Sequence, residues 1–114
     1  MVTGLGRAAS AVQADLSATG AGRDLAERVL AAGRPVDVLV ANAGTGVRRA
    51  WQDVDDDTWE QTLAVNVTAA WQLASTLLPG MIERGFGRIL TVSSVAALNG
   101  GGVGPARRPG WHRG

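Results

Sequence analysis

Two apolar runs in this chain each end in small polar residues. Arg88–Val92 (RILTV) leads into Ser93 and Ser94, and Val36–Ala41 (VDVLVA) leads into Asn42, Ala43 and Gly44. A serine hydroxyl donated to an oxygen stabilises negative charge developing on it, so Ser94 is a candidate site residue. Other residue types offer weaker openings. A hydrolytic triad would need His112 beside Ser94 and an aspartate, but it is the only histidine and nothing in the pattern orients it. Asp53, Asp55, Asp56 and Asp57 suit a solvated helix N-terminus, where carboxylates complement the helix dipole, better than a metal site. No metal is expected.

The elements that would position these groups follow from periodicity. Val36–Ala41 is dense in aliphatic residues without alternation at its centre, as in a strand covered on both faces. Arg23–Ala32 has helical spacing at Leu25, Val29 and Ala32, and Gly33 and Pro35 stop it. Asp57 and Glu60 stand at capping-box spacing. From there Trp59, Leu63, Val67, Ala70, Trp71, Ala74, Leu77, Leu78, Met81 and Ile82 recur every three or four residues along one long amphipathic helix that ends near Gly85. The two tryptophans are expected in core or interface packing. Pro79 is expected to kink or tighten the last turns. Val12–Asp15 reads as a short strand end. Strand, helix, strand is a right-handed crossover unit with parallel strands. Asn42 and Ser94 therefore share the carboxyl edge of the sheet, where open α/β folds bind ligands.

Composition limits the alternatives. The 114 residues suffice for one domain with a modest core, 46% of them are hydrophobic, and the formal net charge is +1. Near-balanced charge gives no reason to expect nucleic acid or an anionic membrane surface. Zero cysteines exclude disulfides and thiolate chemistry. With no apolar run of membrane-spanning length and no apolar leader in MVTGLGRAAS, a soluble cytoplasmic protein is expected.

In order and spacing, VLVANAG (Val38–Gly44), LAVNVTAAW around Asn66, GRILTVSSV (Gly87–Val95) and ADLS with Asp15 resemble the classical short-chain dehydrogenase/reductase family from about Ala14 to Asn99. The resemblance implies an α/β fold, a three-layer Rossmann-like parallel sheet binding NAD or NADP, and hydride transfer between a carbonyl and an alcohol. It implies that Ser94 hydrogen-bonds the substrate oxygen and that Asn66 holds a water in a proton relay. Asn42, Ala43 and Gly44 would pack beside the cofactor, with Asp15 near its adenine. The partners implied are a small carbonyl or alcohol substrate and a homo-oligomer or an intact homologue joined through helix 57–84.

The family pattern is interrupted at both ends. The family's acid/base is a tyrosine about a dozen residues after the serine, with a lysine four residues on. A phenol needs such a cation to act near neutral pH. This chain contains no tyrosine, and all eleven of its basic residues are arginine. Met1–Ala8 (MVTGLGRA) keeps Thr3 and Gly4 of the glycine-rich phosphate loop, both candidate cofactor contacts, but lacks the loop's middle. Most of the central first strand is missing with it. The expectation is thus an incomplete NAD(P)-binding domain over 1–104, inactive alone, followed by an aberrant Arg/Gly/Pro-rich tail over 105–114. Codons for Pro105–His112 exist that, read two bases on, spell S-T-K-A-G-L-A, similar to the family's lysine segment. A shifted frame after Gly104 and a non-functional product of a damaged gene are therefore among the expectations.

Overall fold

In a computed structural model, residues 6–46 and 49–99 are described. The tail at 105–114 and the candidate contacts Thr3 and Gly4 lie outside them. The element order is α1 (Ala21–Ala31), β1 (Val38–Ala41), a 3-10 turn (Trp51–Asp53), α2 (Asp56–Leu63), a π-helical segment (Ala64–Thr68), α3 (Ala69–Arg84), β2 (Arg88–Thr91) and α4 (Ala96–Asn99).

The strands pair in parallel, Val38 opposite Arg88 and Ala41 opposite Thr91. Bonds from Arg88 N to Asp37 O (2.9 Å) and from Val92 N to Ala41 O (3.0 Å) extend the ladder at each end. Side chains alternate across a strand, so Leu39 and Ala41 face the helices while Val38 and Val40 face away. Leu39 packs on a core of Ala26, Leu77 and Met81, whereas Val38 and Val40 are more than half exposed, at 51% and 56%. The described residues thus supply the sheet and one helical layer of the expected architecture. An apolar cavity of about 320 Å3 opens beside β1, between Leu25 and Val29 of α1 and the consecutive residues Leu39, Val40 and Ala41. Three successive strand residues meet one cavity only where it wraps around the strand's edge, so the edge of β1 away from β2 is open.

Helices α1 and α3 approach closely because Gly22 has no side chain. A Cβ there would lie 2.6 Å from the carbonyl oxygen of Ala69. The Gly22 N–H also donates to Gln72 Oε1 at 3.2 Å, so helix contact and hydrogen bond coincide.

Several sequence expectations are corrected. Val12–Asp15 forms no strand; Asp15 instead heads a turn, its Oδ1 accepting from Ser17 N at 3.0 Å and from Ser17 Oγ at 2.6 Å. The helix cap is Asp55, whose Oδ1 accepts from Thr58 N at 2.7 Å, two residues ahead of the expected Asp57–Glu60 box. The long helix is not one α-helix, because Ala64–Thr68 opens into a wide turn in which Ala69 N donates to Ala64 O, five residues back. Pro79 lies inside α3 without converting its last turns to a tighter helix. It has no N–H for the Ser75 carbonyl, and the loss of one bond is tolerated. Gly85, at φ 72°, ends α3 in the left-handed conformation that glycine adopts freely.

Candidate functional site

Both strands run out at the same edge, and their continuations enclose an open cleft of about 540 Å3. It is lined by Asn42–Gly46, Val92–Ser94 and Asn66. Five of the six sequence-nominated residues that fall within the described residues, namely Asn42, Ala43, Gly44, Asn66 and Ser94, therefore meet in one place. Asp15 is the exception and is absent from this lining. Its carboxyl sits below the usual carboxylate range because the Ser17 hydroxyl and backbone N–H bond it.

Asn66 reaches the cleft from the middle of the π segment. Its Oδ1 accepts from Thr45 N at 2.7 Å and its Nδ2 donates to Thr45 O at 2.8 Å. Both ends of the amide are thus engaged with a single backbone residue, which holds the loop after β1 against the helix. Each group keeps a second N–H or lone pair, so the clamp is compatible with the water-holding role implied for Asn66. Thr45 was not legible as a site residue, because it acts through backbone atoms that every residue type has.

Ser94 opens α4. Its Oγ accepts from Ala96 N at 3.2 Å, and its carbonyl accepts from Ala97 N at 3.0 Å. A hydroxyl that accepts through oxygen still has its proton to donate, so Ser94 is fixed in place and keeps its donor. Opposite, the loop is built of small residues. A Cβ on Gly44 would meet only Asn66 Oδ1, at 3.6 Å, and one on Gly46 would meet nothing within 4 Å. The low wall leaves room for a flat ring or a ribose against the backbone. Among the described residues no three His, Cys, Asp or Glu side chains cluster to hold a metal ion, and no helix is long and apolar enough to cross a membrane.

Parallel strands joined by a helical crossover, with a cleft at their carboxyl ends, define a Rossmann-like α/β protein. The chain belongs to the short-chain dehydrogenase family, whose description matches residues 1–106. It is 29% identical over 99 residues to a 3-oxoacyl-(acyl-carrier-protein) reductase of Chlamydia pneumoniae, covering 87% of this chain and 40% of that one. Among solved structures, a candidate NAD(P)-dependent gluconate 5-dehydrogenase of Beutenbergia cavernae with bound NADP superposes with a TM-score of 0.77. The pair is 40% identical, over 87% of this chain and 39% of the other. A metagenomic short-chain oxidoreductase in complex with NADP gives a TM-score of 0.75 at 35% identity, over 82% and 42% of the two chains. The chain spans between 23% and 40% of the length of the curated relatives it matches.

Proposed function

We propose that this chain carries the asparagine–serine edge of an NAD(P)-dependent oxidoreductase acting on a small carbonyl or alcohol, and that it does not turn over alone. One observation carries the reading: Asn42, Ala43, Gly44, Asn66 and Ser94 line a single cleft at the carboxyl ends of a parallel pair. The low wall at Gly44 and Gly46 fits the nicotinamide end of a dinucleotide, and Thr3 and Gly4 would meet its phosphates. The chemistry that NAD(P) would supply, if held there, is the gain or loss of a hydride. Ser94 donates a hydrogen bond to the substrate oxygen and stabilises the charge that grows there. Asn66 keeps the loop in register through Thr45 and would hold the relay water with its remaining capacity. Proton transfer to that oxygen falls to no residue of this chain, which has neither tyrosine nor lysine. The site of action is the cytoplasm.

A second reading has its own support. Trp59 and Trp71 are 61% and 67% exposed, and Leu63, Val67, Leu78 and Ile82 are exposed with them. Six large apolar side chains along one helical path suit contact with a second copy or an intact relative through helix 57–84.

Titrating NADPH and NADH into the protein, with Gly44→Val alongside, tests the first reading. Weak binding that Gly44→Val removes is expected, with no loss of reduced-nicotinamide absorbance when acetoin or acetoacetyl-CoA is added. Absence of binding at millimolar cofactor would sink the cofactor assignment, and turnover would sink the inactivity. Sedimentation of the protein with and without Trp71→Asp tests the second. Association that survives the charge would remove the helix from the interface.

A further inference from the structure

The π segment sets which residues share a face. In an unbroken α-helix each residue advances by about 100°, so Trp59 and Trp71 would stand about 120° apart around the axis. One wide turn absorbs about one residue of rotation and brings them to within about 20° of each other. The same correction aligns Trp59 with Leu78, and Leu63 with Trp71. The exposed apolar side chains form a narrow stripe because Ala64–Thr68 is π-helical; in an unbroken α-helix they would fan out over about 140°.

Of that turn only Ala64 and Val65 are half-buried, Val65 against the apolar cavity, while Asn66, Val67 and Thr68 are exposed. Asn66, at its centre, ties it across the chain by the two bonds to Thr45, and Thr45 lines the cleft. We propose that the Asn66–Thr45 clamp and the wide turn are one element. The clamp keeps the π turn, and releasing it lets the segment tighten to α, which rotates α2 against α3 and fans the stripe out. The cleft loop and the apolar face would then be set by the same pair of hydrogen bonds, so that displacing Thr45 at one is felt at the other. The link between clamp and helix register stands on this geometry alone; only its use in association rests on the second reading above.

The chain has no cysteine, so spin labels can be placed cleanly at Trp59→Cys and Trp71→Cys, which also removes the stripe's own capacity to associate. With Asn66 intact, a single short inter-label distance is expected. With Asn66→Ala added, the distance should lengthen by roughly 6 Å, as the labels separate around the axis. Deleting Val67 in that background removes the surplus residue and should restore the short distance. An unchanged distance in Asn66→Ala, or no recovery on the deletion, overturns the proposal. If Asn66→Ala loses its helical circular dichroism, Asn66→Asp serves instead, since it keeps the acceptor for Thr45 N and loses the donor to Thr45 O. A mixture of short and long distances is then expected, and a single short one overturns the proposal.

Discussion

The two faces of β1 differ as sharply as any two surfaces in the molecule. On one, Leu39 meets Ala26, Leu77 and Met81 beneath a pair of helices. On the other, Val38 and Val40 are exposed, and Leu90, which shares their face in the register, is exposed as well. Yet the residue types are alike on both faces, aliphatic throughout, as in strands buried on both sides. The sequence of β1 is written for two covered faces, and the described chain covers one. Burial, not composition, therefore separates the positions that hold this unit together from those that do not.

The strongest way to break that comparison is at the helix crossing. Gly22→Leu would place side-chain atoms where Ala69 O already lies. Overpacking of this kind costs about 3 kcal/mol, and urea denaturation should show it as a lowered midpoint or no transition. Next, Met81→Ala empties a site only 4% exposed and should cost about 2–4 kcal/mol. Val40→Thr on the open face should change stability by less than about 0.5 kcal/mol. If the Val40 change proves as costly as the Met81 change, the open face is covered in solution. Between the Met81 and Val40 changes falls a helix end. Asp55→Ala removes the cap on α2 and should lower helicity slightly, measured by circular dichroism.

The pH dependence of that cap has a definite sign. Hydrogen bonds from the Thr58 hydroxyl and N–H hold the Asp55 carboxyl below its usual value. A lowered folded-state pKa stabilises the fold above the unfolded value, near pH 4, and the contribution is lost as pH falls through the folded one. Wild type should therefore lose a small increment of stability below about pH 4 that Asp55→Ala does not.

Much of this was legible in the residues. The strands at Val38–Ala41 and Arg88–Thr91 and the helix end at Gly85 follow from aliphatic runs and a glycine. The meeting of Asn42 with Ser94 follows from the two strands being parallel, as a strand–helix–strand crossover makes them. The cap was missed because DVDDD offers four aspartates in five positions, and the backbone leaving the Trp51–Asp53 turn selects among them. The wide turn left a signal that went unused. Trp59, Leu63, Val67 and Trp71 recur strictly every four residues, and a strict four-residue repeat walks around an α-helix by about 40° per step. It makes one face only if the helix opens somewhere along it. Asp15 could not have been placed from its own sequence, because whether a strand forms at Val12–Asp15 depends on a partner strand.

The long ties in this unit run from side chains to main-chain atoms. Arg84 Nη2 donates to Val36 O at 2.7 Å, Arg28 Nη2 donates to Gln13 O at 3.1 Å, and Asn66 grips both polar groups of Thr45. A carbonyl offers the same oxygen whatever side chain it carries. These ties ask only main-chain atoms of positions 13, 36 and 45, whereas they need the side chains at 28, 66 and 84. A unit fastened in this way can keep its shape while most of its letters change.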